Sequence, residues 1–269
     1  MKHLILGAGN MPSALLPGYI KEAKRSGHEF FVFTPSQTKA LTFSKENEIL
    51  FLKTFKDIAK ISYDVIWPCM KPQLFRDAIT EYINQGVNFK DSTIISMMAG
   101  KSIETIKNIT KSDKVIRLMP NTPSSVGEGV NLIYSDLDES HVKSLMSFFD
   151  GSAKNFFLSS EKQIDELTPF SGSGPAYFFE FSRIFEDKIK SFGVSDEIAK
   201  ELMARTMKGA SVMLLNSDLD SKTLRENVTS KGGVTFEALQ TFKNHELEDI
   251  FSKAIDNAII KNNELKGDS

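Results

Sequence analysis

Two patterns of apolar and polar positions divide the chain near residue 160. From residue 3 to about residue 158, short apolar runs alternate with segments in which apolar residues recur every three or four positions. This alternation predicts βα units that build a mostly parallel sheet. The predicted strands cover residues 3–6, 29–33, 48–52, 63–67, 93–96, 115–119, 129–134 and 154–158.

Beyond residue 160 the short apolar runs stop, and apolar residues keep a helical spacing over several long stretches. Ser195 is predicted to cap a helix, because serine is favoured at the N-cap and Asp196 and Glu197 follow in the first turn. A further helix is predicted to begin at Ser221. The sequence therefore predicts an α/β protein, with a doubly wound sheet in residues 1–159 and an all-helical domain in residues 160–269.

The composition narrows the class of protein and its partners. The formal net charge is −2 and lysine and arginine are scattered along the chain, so no basic stripe is available for nucleic acid. Cys69 is the only cysteine, which excludes an intramolecular disulfide and a structural cysteine zinc site, and no metal site is predicted. No apolar run is long enough for a bilayer span or a signal peptide. These features predict a cytoplasmic protein without membrane partners.

A glycine pair follows the first predicted strand. In a strand–turn–helix setting, glycines let the backbone approach a pyrophosphate at the helix N-terminus, which predicts dinucleotide binding in a Rossmann-type domain. The residues predicted to bind are Leu6, Gly7, Ala8, Gly9, Asn10 and Met11. A tight turn without a ligand is the alternative. Pro12 stands at the third glycine position of the fingerprint and Pro17 falls further along, which predicts that the next helix begins late or bends.

The residues after the second predicted strand bear on the choice of dinucleotide. An acidic residue at this point would bind a ribose 2′-hydroxyl, but the chain continues with Thr34, Pro35 and Ser36. Thr34, Ser36 and Lys39 are able to donate hydrogen bonds to a 2′-phosphate, so NADPH is predicted to be preferred, with NADH also possible. The alternative is that these hydroxyl groups only cap the following helix.

Clusters of Gly, Pro, Ser and Thr mark loops whose backbone comes close to a ligand or to another part of the chain. The clusters are RLMPNTP at residues 117–123, SGSGPAY at 171–177 and VTSKGGVT at 228–235, together with MKP at 70–72 and MAG at 98–100. Taken in their order along the chain, these clusters closely resemble those of the Δ1-pyrroline-5-carboxylate reductases, and the resemblance covers nearly the whole chain. Lys231 stands where that family usually has proline and Val234 where it usually has threonine or alanine, so the chain resembles a divergent member.

The resemblance implies an enzyme that reduces 1-pyrroline-5-carboxylate to L-proline with NAD(P)H, the last step of proline biosynthesis. It implies backbone contacts to the ribose and nicotinamide and a loop that closes the cofactor side. The residues it assigns to this role are Met70, Lys71, Pro72, Ala99, Gly100 and Asn121. It also implies an oligomer whose helical domains interlock, and a homodimer is the simplest such form.

The glycine pair of the third cluster precedes a helical pattern that begins near Phe236. Free backbone N–H groups at such a helix start are predicted to bind the substrate carboxylate. The predicted substrate-binding residues are Ser230, Gly232, Gly233, Val234 and Thr235. The resemblance places the hydroxyl of Thr235 beside the substrate ring, in a hydrogen bond with its nitrogen, and makes Thr235 the predicted catalytic residue. Capping the helix is the alternative role.

Three other functions are weighed against this one. A hydroxy-acid dehydrogenase needs a proton acceptor, commonly histidine or lysine, and none of the four histidines lies in a glycine-rich cluster. A non-catalytic NADP-binding paralogue would keep the fold while its substrate loop drifts. A reductase of a related cyclic imine is the third, because one added ring carbon changes binding by only roughly 1 to 3 kcal/mol.

Overall fold

The computed structural model describes residues 1–35 and 37–267, and within them eight strands form one sheet. The strands are β1 (Lys2–Leu6), β2 (Glu29–Phe33), β3 (Leu50–Phe51), β4 (Val65–Pro68), β5 (Thr93–Ser96), β6 (Val115–Met119), β7 (Gly129–Ser135) and β8 (Ala153–Phe157). Each predicted strand region overlaps one of them. The third is much shorter than predicted, because only Leu50 and Phe51 pair with β2.

The strand order is β3-β2-β1-β4-β5-β6-β7-β8. Strands β1 to β6 are all parallel to one another. Strand β7 is antiparallel to β6, and β8 is parallel to β7. The chain leaves β1 first toward β2 and later returns on the other side at β4. The prediction of a doubly wound, mostly parallel sheet is confirmed, and β1 and β4 flank its topological switch point.

Twelve α-helices are described, some between the strands and the others after β8. They are α1 (Asn10–Arg25), α2 (Gln37–Glu46), α3 (Phe55–Ala59), α4 (Phe75–Asn84), α5 (Ile103–Thr110), α6 (Glu139–Met146), α7 (Glu161–Ser171), α8 (Gly174–Lys190), α9 (Asp196–Leu215), α10 (Ser221–Asn227), α11 (Val234–Asn244) and α12 (Leu247–Gly267). The predicted cap of α9 is confirmed, because the Ser195 hydroxyl accepts a hydrogen bond from the N–H of Ile198. None of these helices, within the described residues, has the length and apolar character needed to cross a bilayer.

The two faces of the sheet carry separate apolar cores, because successive side chains of a strand point to opposite faces. Along β1, Ile5 packs into one core, whereas Leu4 and Leu6 pack into the other. The first core includes Trp67, which is fully buried. Burying apolar surface on both faces explains why these parallel strands read as continuous apolar runs in the sequence.

Helix α1 begins at Asn10 despite its two prolines, so the predicted late start is wrong. Pro12 lies in the first turn, where a backbone N–H has no acceptor within the helix and its loss costs little. Pro17 lies inside the helix and removes one hydrogen bond, yet the helix continues to Arg25. Fully buried Leu16 and Tyr19 on either side of Pro17 hold this part of the helix against the sheet.

The chain separates into two compact units, residues 1–175 with 258–269 and residues 176–257. Helix α7 belongs to the unit that contains the sheet, because Ile164 is fully buried against Met119 and Leu132. The side chain of Asn262 donates a hydrogen bond to the carbonyl of Asp165 at 2.9 Å, which ties the end of α12 to the same unit. These units divide the chain later than the predicted boundary between 159 and 160, which stays a prediction about functional domains.

A buried histidine pair lies at the start of the sheet. His3 is fully buried, and its Nδ1 accepts a hydrogen bond from the indole N–H of Trp67 at 3.3 Å. Because an indole nitrogen only donates, His3 carries its proton on Nε2, which donates to Nδ1 of His28 at 2.9 Å. Burial, helped by the nearby His28 and the N-terminal amino group, lowers the pKa of His3 to about 3.

Acid is therefore expected to destabilise this fold through His3. The unfolded chain binds a proton at His3 below about pH 6.5 while the folded chain does not, so stability is lost as the pH falls, by up to ~1.4 kcal/mol per pH unit. The variant His3→Gln keeps an acceptor for Trp67 but does not titrate. Urea unfolding followed by Trp67 fluorescence should show a loss between pH 7 and pH 5 that is ~2 kcal/mol larger for the wild type. Equal losses would mean that His3 is not held neutral.

Candidate active site

The predicted cofactor residues of the sheet-containing unit collect at one edge of the sheet. Strands β2, β1, β4, β5 and β6 are adjacent and parallel, so their carboxyl ends meet at the same edge. The loops that follow them carry, in that order, Thr34, Gly7, Met70, Ala99 and Asn121. In open α/β sheets ligands bind at this edge, next to the point where the strand order reverses.

The turn after β1 has a shape that only glycine permits at its first position. Gly7 has a φ of +114°, and its N–H donates to the carbonyl of Phe33 at 2.9 Å. A Cβ at Gly7 would lie 2.5 Å from the carbonyl oxygen of Cys69, so the turn packs directly on the end of β4. This close approach places the start of α1 over the switch point.

The N-terminus of α1 is open. Gly9 is the N-cap residue, no side chain caps the helix, and the first turn contains no acidic residue. A Cβ at Gly9 would meet no atom of the described residues within 4 Å, so it would stand in open space. Backbone N–H groups at an uncapped helix start, with the helix dipole behind them, favour an anion.

The loop after β2 carries the predicted contacts to the adenosine ribose. Thr34 is half-buried directly after the strand, and Lys39 is exposed in the first turn of α2. Ser36 lies outside the described residues. The residues from Thr34 to Lys39 include no carboxylate, as the sequence shows.

The loops after β4 and β5 carry the residues that the resemblance assigns to the ribose and nicotinamide. Lys71 is exposed in an extended conformation, and Pro72 begins a single 3-10 turn. After β5, Ala99 is half-buried and Gly100 is buried with a φ of +73°. The positive φ at Gly100 turns the chain into α5, whose N-cap is Ser102.

Asn121 has a second role that the sequence did not reveal. Its side-chain oxygen accepts a hydrogen bond from the N–H of Val130 at 2.8 Å, and its amide nitrogen donates to the carbonyl of Ser171 at 3.1 Å. The residue is buried. Each end of its side chain thus makes a hydrogen bond within the protein, and its predicted contact with a cofactor stays a prediction.

The SGSGPAY cluster separates two helices. Helix α7 ends at Ser171 and α8 begins at Gly174. Through its hydrogen bond to the Ser171 carbonyl, Asn121 joins this break to the loop after β6. Two of the sequence clusters therefore meet within the sheet-containing unit.

The third cluster lies in the other unit and forms the N-terminus of α11. Gly232 has a φ of +70°, and Gly233 is the N-cap residue, whose N–H donates to the carbonyl of Ser230. No side chain caps this helix. Val234 and Thr235, its first two residues, are exposed, Val234 by 91%. The start of α11 therefore has no side-chain cap, and a hydroxyl group lies beside it.

An ion-pair network was missed at the sequence level. Arg117 is buried in β6, where its guanidinium contacts Glu161 and Asp165 of α7, each at 3.0 Å. The signal was present, because a charged residue inside the apolar run VIRLM must find partners when the strand is buried. The sequence could not say which carboxylates would supply them.

The residues present fit a dinucleotide. The turn at Gly7 excludes any side chain, the space before Gly9 is open, and no carboxylate in the first turn of α1 would repel a phosphate. Each of these features, taken alone, also fits a turn that binds no ligand. Together, at the switch point of a doubly wound sheet, they have the geometry and charge that a pyrophosphate requires.

Fold and site define a Rossmann-type dinucleotide-binding protein with a helical second half. Residues 161–265 match the family described as pyrroline-5-carboxylate reductase dimerisation, and residues 2–100 match the one described as NADP oxidoreductase, coenzyme F420-dependent. A pyrroline-5-carboxylate reductase of Vibrio alginolyticus is 30% identical over 274 residues, covering 98% of this chain and 97% of the relative. The chain belongs to the pyrroline-5-carboxylate reductase family, as the sequence clusters predicted.

Solved structures agree with this placement. A Plasmodium falciparum pyrroline carboxylate reductase with NADP bound has a TM-score of 0.83 at 25% identity and covers 99% of this chain and 98% of its own. The 1-pyrroline-5-carboxylate reductase of Streptococcus pyogenes has a TM-score of 0.85 at 25% identity and covers 98% of each chain. The similarity therefore extends over both units of the fold.

Proposed function

We propose that this chain is an enzyme that reduces 1-pyrroline-5-carboxylate to L-proline with NADPH. The observation that carries the proposal is the uncapped N-terminus of α11 with Thr235 beside it, in a family member that keeps the dinucleotide turn. A protein that only binds a dinucleotide has no use for a second anion site with an adjacent hydroxyl group. The proposal assigns the start of α1 to the cofactor pyrophosphate and the start of α11 to the substrate carboxylate.

The cofactor is held by the carboxyl edge of the sheet. The residues from Leu6 to Met11 bind the pyrophosphate, and Met70, Lys71 and Pro72 with Ala99 and Gly100 line the ribose and nicotinamide through backbone groups. When bound, NADPH supplies the hydride that reduces the C=N bond. The lack of a carboxylate between Thr34 and Lys39 removes a repulsion that a 2′-phosphate would otherwise meet, so NADPH is favoured over NADH.

The substrate carboxylate binds at the start of α11. The backbone between Ser230 and Thr235 turns through Gly232 at positive φ, which leaves the first N–H groups of the helix open to an anion. A carboxylate there gains from the helix dipole as well as from hydrogen bonds. This anchor fixes the ring that carries the imine.

Thr235 acts on the ring nitrogen. An imine nitrogen that is protonated carries an N–H, and the Thr235 hydroxyl accepts a hydrogen bond from it, which orients the C=N bond and favours the charged, more electrophilic form. Hydride addition to the carbon of a protonated imine gives the neutral amine directly, so the reduction needs no further proton donor. This explains why the histidines and Lys71 have no catalytic role in the proposal.

Self-association is part of the proposal. In residues 176–257, large apolar side chains are exposed on several helices, among them Phe178, Phe179, Phe185, Phe192, Leu202, Leu215 and Phe242. Clusters of exposed apolar side chains mark interaction sites more often than free surface. The match of residues 161–265 to a dimerisation family identifies a second copy of this chain as the occupant. A homodimer is the smallest such assembly, and a cytoplasmic location stays a prediction.

The test is the loss of NADPH absorbance when purified protein is given 1-pyrroline-5-carboxylate, beside parallel reactions with NADH and with a six-membered imine. Fast oxidation that requires the five-membered imine and is faster with NADPH is expected. Preference for the six-membered ring would change the substrate but keep the reaction class. Cofactor binding without oxidation of any imine would identify a non-catalytic paralogue instead.

A further inference from the structure

Arg117 lies in the seam between two helices on one face of the sheet. Helix α5 covers this face through Ile103 and Ile106, and α7 covers it through Ile164. The side chain of Arg117 is only 3% exposed, so its charge depends on the two carboxylates of α7. Glu161 is the partner on the side of α5.

Glu161 makes a second contact that Asp165 does not share. Its Oε1 accepts a hydrogen bond from the backbone N–H of Ile103 at 2.7 Å, in addition to the contact with Arg117. Ile103 is the first residue of α5, and a carboxylate at a helix N-terminus is stabilised by the helix dipole. One carboxylate oxygen thus links the start of α5 to the guanidinium in β6.

Both ends of the loop between β5 and α5, residues 97–102, are linked to Arg117. At its beginning, Ser96 is the register partner of Arg117 in the sheet. At its end, Ile103 is held by Glu161, which is itself held by Arg117. The loop contains Gly100 at a φ of +73°, a conformation that a tether at both ends keeps in place.

We propose that Glu161 is a positioning residue that fixes the loop 97–102 for cofactor binding. The inference rests on the proposed function, because that function assigns Ala99 and Gly100 of this loop to the nicotinamide side. Backbone groups reach the cofactor only when the chain follows the right path. When the end of the loop is released, these groups are less well placed and the affinity for NADPH falls. Glu161 itself touches no cofactor or substrate in this proposal.

Three variants separate positioning from simple stability. Glu161→Ala removes the acceptor for Ile103 and the charge facing Arg117. Glu161→Gln removes the charge but keeps an oxygen that accepts from Ile103. Asp165→Ala takes away the other carboxylate partner of Arg117 and leaves the link to α5 intact, which makes it the matched control.

The dissociation constant of NADPH, measured from its fluorescence on binding, is the readout, together with the unfolding midpoint from Trp67. We expect all three variants to unfold more easily, but only Glu161→Ala to weaken NADPH binding by about tenfold, with the other two within about threefold of the wild type. Should Glu161→Ala fail to fold, Glu161→Asp, whose shorter side chain does not reach Ile103, replaces it with the same expectation.

Equal weakening by Glu161→Ala and Asp165→Ala would overturn the inference, since affinity would then follow stability alone. So would an unchanged dissociation constant in Glu161→Ala, or in Glu161→Asp where that variant replaces it. If the wild-type protein itself fails to bind NADPH, the proposed function falls and this inference falls with it. The first two outcomes leave the proposed function standing.

Discussion

Replacing Thr235 with alanine is expected to lower the turnover number about a hundredfold while NADPH affinity stays within about twofold. The hydroxyl group is the polar group proposed to bond the ring nitrogen, and its loss leaves the protonated imine without that partner. Cofactor affinity is spared because the residues proposed to bind NADPH all lie in residues 1–175, whereas Thr235 lies in residues 176–257. Steady-state kinetics with 1-pyrroline-5-carboxylate and NADPH fluorescence titration measure the two quantities.

The conservative variant Thr235→Ser is the control, since it keeps the hydroxyl group and is expected to retain most of the turnover. Thr235 is exposed at the second position of α11, so neither variant should shift the unfolding midpoint appreciably. A variant Thr235→Ala that binds NADPH poorly but turns over normally per bound cofactor would show that Thr235 has a different role. Helix capping, the alternative role that the sequence left open for this threonine, is not observed, because Gly233 is the N-cap residue and no side chain caps α11.

Local sequence patterns were enough to locate the sheet, because burial on both faces imposes continuous apolar runs that are bounded by turn residues. The run at residues 48–52 was harder to interpret. Only Leu50 and Phe51 pair with β2 at the edge of the sheet, and an edge strand has a neighbour on one side only. The antiparallel direction of β7 was also not predictable, since it depends on how the chain from Thr122 to Glu128 turns back rather than on any residue of the strand.

The glycine turn and the cofactor loops could be predicted because each needs a backbone conformation that few residues allow. Side-chain partners far apart in sequence could not. Arg117 and Glu161 are separated by 44 positions, and Asn121 and Ser171 by 50. The sequence predicts Asn121 as a cofactor residue, which stays a prediction, but it does not reveal that the side chain joins two loops of the protein. Polar residues in a site cluster thus either contact the ligand or hold the groups that do, and only the contacts tell which.

Replacing each of the two glycines of the β1–α1 turn by alanine is expected to affect a different property, stability at Gly7 and NADPH binding at Gly9. At Gly7, alanine would meet a φ of +114° and the Cys69 carbonyl oxygen at 2.5 Å, so Gly7→Ala should lower the free energy of unfolding by ~3 kcal/mol. At Gly9, φ is −86° and no atom lies within 4 Å of a Cβ, so Gly9→Ala should fold normally. Its methyl group would instead occupy the approach of the pyrophosphate and weaken NADPH binding by roughly tenfold or more.

Gly27 supplies the control for backbone strain, because it has a φ of +78° but open space where a Cβ would stand. Gly27→Ala should therefore cost only ~1 kcal/mol, the penalty of the left-handed conformation without a steric clash. Urea unfolding followed by Trp67 fluorescence compares the three variants, and NADPH titration compares Gly9→Ala with the wild type. If Gly7→Ala costs no more than Gly27→Ala, the turn does not pack on Cys69. If Gly9→Ala binds NADPH as tightly as the wild type, the phosphates do not bind at the start of α1.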